Sequence, residues 1–132
     1  MEKLLLYAGK DLQDLTREEW LKTKAPILQP IAKKWFTEIK NCGEDVQIIF
    51  HDGYPIGCVH QAPFTYVNAF TAHVNVGFFY GAELHNQNGM LEGSGKRMPH
   101  IKIKPHIVFD EREIVRLMRT AYIDIKRRLR EQ

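Results

Sequence analysis

The sequence predicts an α+β domain, a central antiparallel sheet of about five strands flanked by N-terminal helices and a long C-terminal helix. Three observations predict it. Apolar residues recur at three- and four-residue spacing before residue 41 and again after residue 110, the repeat of a half-buried helix. Between Val46 and Ile103 the repeat falls to two, as in strands. The strands follow one another through short connections, which favours an antiparallel meander over parallel crossovers.

Taken in order, Thr16-Arg17-Glu18-Glu19 fits a capping box, so a short helix is expected from Thr16 to a stop before Pro26. A second helix is expected from Pro26 to Asn41, with Pro30 in its first turn and Gly43 near its C-terminal cap. Its apolar face would be Ile27, Leu28, Ile31, Ala32, Trp35, Phe36 and Ile39. Val46 to His51 reads as a strand, Asp52-Gly53 as a turn, and Ile56 to Gln61 as the returning strand. Phe64, Tyr66, Asn68 and Phe70 then alternate with Thr65, Val67 and Ala69. Val74, Val76, Phe78 and Tyr80 share a face of the next strand, and Ile101 and Ile103 belong to a fifth. Asp110 and Glu113 form a second capping box, opening a helix to about Arg130. Its stripe of Ile114, Leu117, Met118, Ala121, Ile125 and Leu129 is core, so the helices cover one face of the sheet.

At 132 residues the chain reads as one domain, residues 1–132, able to bury a core without metal or disulfide support. Its composition, 44% hydrophobic and 27% charged, excludes a disordered chain. A net charge of +3 selects no partner. Cys42 and Cys58 fit no zinc-ligand spacing and read as reduced thiols, implying a cytoplasmic protein. The apolar opening Leu4 to Ala8 is too short for a secretion signal or a membrane span.

Gly93-Ser94-Gly95-Lys96-Arg97 is the segment that carries candidate chemistry. Glycines beside two cations describe a loop whose N–H groups converge on an anion, or a plain polar connection. It is not a nucleotide-binding P-loop. Met90 stands at the first glycine position, Arg97 stands where the magnesium-binding hydroxyl belongs, and His100 to Lys104 reads as a strand instead of a helix.

The run Gly89-Met90-Leu91-Glu92-Gly93-Ser94-Gly95-Lys96-Arg97-Met98, leading into His100-Ile101-Lys102-Ile103, resembles the hallmark of the YdhG-like domain family. Gly53-Tyr54-Pro55 after the first strand and Val74-Asn75-Val76-Gly77-Phe78 match it too. The resemblance covers roughly residues 26–125 and leaves 1–25 as an N-terminal extension. That family is largely of unknown function and includes members described as frataxin-like intracellular iron chaperones. The resemblance implies the same α+β fold, places Tyr54 beside the glycine loop as one wall of a cleft, and brings in iron by analogy alone. Hard oxygen donors suit a weakly held iron. The acidic residues here are scattered, and the densest group, Glu38 with Glu44-Asp45, lies among Lys33, Lys34 and Lys40.

Other chemistry is sparse. His51, His60, His73, His85, His100 and His106 make no helical metal motif. His51 and Asp52 are expected on opposite strand faces, and a His51–His60 site requires the hairpin register to join them. Cys58 and His60 share a face as a thiol–imidazole pair, and Ser94, the one serine, lacks a nucleophile elbow. No cofactor is required and no catalytic residue is assigned. On the last helix Arg112, Arg116, Arg119, Lys126 and Arg130 fall in a sector of roughly 80° opposite the apolar stripe. The expected function is a non-enzymatic binding or carrier protein holding a small anionic ligand or metal at Tyr54 and Gly93 to Arg97. The alternative is a module docking an acidic protein or nucleic acid on that basic face, although no sequence-specific nucleic-acid motif is present.

Overall fold

The structure, a computed structural model, describes residues 4–7, 14–81, 84, 89–93 and 98–132. Helices α1 (Asp14–Lys22) and α2 (Gln29–Lys40) precede strands β1 (Val46–His51), β2 (Tyr54–Val59), β3 (Ala62–Ala69), β4 (Val74–Phe78) and β5 (His100–Ile103), and α3 (Glu111–Arg130) follows. The sheet order is β1-β2-β3-β4-β5, antiparallel throughout. This is the expected α+β arrangement.

Chain direction gives the sheet two distinct ends. One end carries the β1–β2 turn, the β3–β4 turn and the start of α3. The other carries the β2–β3 turn, the entry to β1 and the end of α3. Trp20 Nε1 donates to Gly53 O at 2.9 Å, which ties α1 to the first end. Trp20 and Leu21 are both buried, so this part of the N-terminal extension completes the core.

The helices lie on one face. α3 packs on β3, and α2 on β1, β3 and β4. Their shared core joins Leu28, Trp35, Phe36 and Ile39 to Ile114, Leu117, Met118, Ala121 and Ile125, over Val46, Ile48, Val67, Val76, Ile101 and Ile103. Ile27 departs from the expected helical face and is 53% exposed, because α2 begins only at Gln29. The preceding residues form a turn closed by Leu28 N–H to Ala25 O at 2.9 Å. Thr16 lies within α1, not at its cap. Asp110 does cap α3, accepting from the N–H of Arg112 (3.1 Å) and Glu113 (3.4 Å). The box stays half made, since the Glu113 carboxylate turns to Arg116 Nε at 2.6 Å.

Two strand boundaries differ from the alternating pattern. β2 ends at Val59 because His60 (φ 46) and Gln61 (φ 68) form the turn in left-handed backbone, without glycine or asparagine to signal it. The register between β2 and β3 then shifts: Gly57 pairs with Thr65 but Cys58 with Pro63, leaving Phe64 as an extra residue. A bulge re-aims side chains. Phe64 therefore joins Val67 in the helix-side core and not Tyr66, its alternation partner.

Candidate functional site

The second face of the sheet is built from residues that two-residue alternation turns away from the helices. Ile49, Ile56, Cys58 and Tyr66 form a separate cluster there, covered by Tyr7, Tyr54, Phe79 and Met98. Ile49, Ile56 and Cys58 are fully buried, whereas Tyr54 is only half-buried. The Tyr54 and Tyr66 rings tilt together at 5.2 Å, and Phe79 meets Tyr66 edge-on at 6.2 Å. Tyr7 stacks on His51 at 4.2 Å and 21°, and its N–H donates to Gln61 O at 2.8 Å. Tyr7 thus lies on this face, whereas Leu4 packs against the helix-side core and its N–H donates to Gln132 Oε1 at 3.3 Å, so the segment passes around the end of the sheet that holds the last turn of α3.

The chemistry of this face is that of neutral phenols. Burial raises the hydroxyl pKa of Tyr7, Tyr54 and Tyr66, and the Asp52 carboxylate adds to the effect at Tyr7 and Tyr54. These groups donate and accept hydrogen bonds and are not phenolates. Asn75, 8% exposed, sits on the same face of β4 and hydrogen-bonds the Tyr66 hydroxyl. Its Oδ1 is buried and has no partner among the described residues. A buried acceptor left open costs about 1–3 kcal/mol.

The glycine segment reaches this face from the far edge. Glu92 and His100 exchange N–H···O bonds of 2.7 and 2.9 Å, which pairs the two positions that flank the glycine-lysine stretch in sequence. Gly93 has φ +96, and Met98 packs on the tyrosine cluster. Ser94, Gly95, Lys96 and Arg97 lie outside the described residues. Tyr54 on β2 and the loop base at β5 are three strand spacings apart, about 14 Å. The structure therefore places Tyr54 and Met98 on one cluster, and Gly93 at the margin of the sheet.

The basic helix face is partly neutralised. Arg116 binds Glu113, and Lys126 Nζ lies 2.9 Å from Asp45 Oδ2. Tyr122 donates to Asp45 Oδ1 at 2.5 Å, and that bond, with Lys126, holds the Asp45 carboxyl below its ordinary value. Arg112, Arg119 and Arg130 remain exposed.

His51 and Asp52 do meet, Nε2 to Oδ2 at 3.5 Å, because the left-handed backbone of Asp52 (φ 55) swings its carboxylate out of strand geometry. His51 and His60 stand at opposite ends of the β1–β2 pair, about 20 Å apart along the strands. Cys58 is buried and does not meet His60 at the surface. Burial pushes the Cys42 thiol up to about 11, which leaves it unreactive. Among the described residues, no three His, Cys, Asp or Glu side chains are placed to hold a metal ion, and no helix is long and apolar enough to cross a membrane.

Sequence reasoning singled out Tyr54 and missed Tyr7, Tyr66, Phe79 and Asn75. Asn75 carried a signal, being a polar residue inside the apolar run Val74–Phe78.

No protein-family model matches the chain, and no curated protein does. Among solved structures it is similar to YdhG, a protein from the DUF1801 family of Bacillus subtilis. The TM-score is 0.66 over 81% of this chain and 88% of that one, at 14% sequence identity. The chain has a YdhG-like fold, as the resemblance of its glycine-lysine segment implied.

Proposed function

We propose that this protein is a small, non-enzymatic binding or carrier protein whose ligand lies against the tyrosine-lined second face of the sheet. The observation that carries the reading is Asn75 Oδ1, a buried acceptor with no partner, set beside the Tyr66 hydroxyl on a face without a helix. A ligand that donates a hydrogen bond to Asn75 and stacks on Tyr54 suits this face. Gly93 stands at its margin, and the sequence that follows it, Ser94-Gly95-Lys96-Arg97, has the glycine and cation content that suits an anionic group. Cys42 and Cys58, neither of them in a disulfide, accord with the cytoplasmic setting that belongs to the same proposal.

Asn75→Leu tests it. The change removes the open acceptor but also the amide that hydrogen-bonds the Tyr66 hydroxyl, so the two effects offset and stability should shift by no more than about 1–2 kcal/mol. The same change should abolish retention of a co-purifying small molecule, read by native mass spectrometry of untagged protein. A variant that folds and keeps its ligand would mean that the open acceptor is only a packing defect.

The alternative, docking of an acidic protein or nucleic acid by the basic helix face, rests on exposed Arg112, Arg119 and Arg130. It predicts binding that weakens steeply with salt, whereas an enclosed ligand responds less. The iron-carrier reading rests on the family resemblance alone and has no gathered donor set among the described residues.

A further inference from the structure

At the end of the sheet opposite α1, the β2–β3 turn and the last turn of α3 enclose a cleft of about 350 Å³. This is at the small end of the range of about 300–1,000 Å³ spanned by ligand sites. Asp45, Val59, His60, Lys126, Leu129 and Arg130 line it. Val59 is buried and Leu129 half-buried, so the inner part is apolar. His60 and Arg130 are exposed and stand at the mouth.

The charges of the cleft do not cancel. Asp45 is the one acid among the lining residues, and Lys126 Nζ at 2.9 Å and the Tyr122 hydroxyl at 2.5 Å already take both of its oxygens. Arg127 and Arg128, on the neighbouring turn, are bound to Asp124, and Arg127 also to Glu131. Arg130 has no ion pair among the described residues, so among them one cation is left over at the mouth.

We propose that this cleft is a second binding site, independent of the tyrosine face, for a small organic anion with an apolar body, such as an aryl or short-chain carboxylate. The body lies on Val59 and Leu129, and the carboxylate meets Arg130, with Lys126 and His60 beside it. The helix end itself gives no help. Its C-terminal carbonyls carry partial negative charge, which disfavours an anion. Recognition therefore falls on the side-chain cations, and Arg130, which can grip a carboxylate with two parallel N–H groups, is the decisive one.

The test is titration with benzoate, and separately with inorganic phosphate, followed by amide chemical shifts of the full chain. Benzoate should move Val59, His60, Leu129 and Arg130, and phosphate should bind more weakly because it lacks the apolar body. Arg130→Gln should weaken benzoate binding about tenfold or more. Arg130 is exposed, so the fold should survive the change. Tyr54→Ala, on the other face, should leave benzoate affinity unchanged. Equal weakening by Arg112→Gln or Arg119→Gln would assign the effect to general charge and overturn the site. Shifts confined to the tyrosine face, or phosphate binding as tightly as benzoate, would overturn it as well.

Discussion

The Tyr66 ring occupies the space above Gly77, its register partner on β4, where any other residue would carry its Cβ. The close approach lets the ring lie between Tyr54 and Phe79, and leaves Asn75 within reach of its hydroxyl. Gly77→Ala should therefore displace the ring and destabilise the protein by about 1–3 kcal/mol, the usual cost of overpacking. Urea denaturation measures it. In the background of Tyr66→Ala the same change should cost far less, and equal costs in both backgrounds would show that the ring is not what Gly77 accommodates.

Leu117 is fully buried at the centre of the α3 stripe. Leu117→Ala should lose about 2–5 kcal/mol, spread by how far the site collapses. Ile123→Ala, on the exposed side of the same helix (64% exposed), should stay within about 0.5 kcal/mol. Thermal unfolding of the pair tests the packing face directly.

Acid should weaken the contact between β1 and α3. The Tyr122 hydroxyl and Lys126 hold the Asp45 carboxyl below its usual 3.8. At Asp124, burial pushes upward, but the hydrogen bonds from Arg128 and Arg127 outweigh it and lower the value. A carboxyl depressed on folding stabilises the protein above its unfolded-state value, and the gain is lost as pH falls through the folded-state value. Melting temperature should thus decline below about pH 4. Asp45→Asn should lower stability at neutral pH and flatten that acid limb. Because Asp45 is over one-third exposed, the effect should shrink in high salt.

The β2–β3 turn should be improvable. His60 and Gln61 both adopt left-handed backbone, which costs L-residues roughly 1–2 kcal/mol each. The Gln61 N–H donates to Gln47 Oε1 at 2.9 Å, a bond that backbone alone preserves in a variant. His60→Asn/Gln61→Gly should gain about 1 kcal/mol. A loss in the melting experiment would mean that the two side chains make the turn.

What the sequence made legible was local. The Asp110 cap and the Ile114–Ile125 stripe depend on residues three or four apart, so both could be read directly and both are present. The β2 boundary could not, since His60 and Gln61 lack the residue types that announce left-handed backbone. Phe64 was assigned to the wrong face because a bulge is a property of pairing between strands, and alternation within one strand carries no trace of it. The candidate face escaped for a related reason. Tyr66 and Asn75 are nine residues apart in sequence and adjacent only once β3 and β4 pair. Tyr54 was reached through the family resemblance, and the loop residues 94–97 lie outside the described structure.

The sheet order has a consequence for how the chain assembles. β1 to β4 are neighbours in sequence as well as in space, joined by turns of a few residues, so their pairing closes only small loops. β5 must wait for the closure of residues 79–99, and loop closure grows more costly with length. The four-stranded meander should form in the folding transition state, with β5 and the helix that follows it docking afterwards. Val76→Ala would then slow folding more than Ile101→Ala, whose effect falls on the unfolding rate. The edge that arrives last is also the one that Met98 precedes, so the cover that Met98 gives the tyrosine cluster is laid down after the strands beneath it have paired.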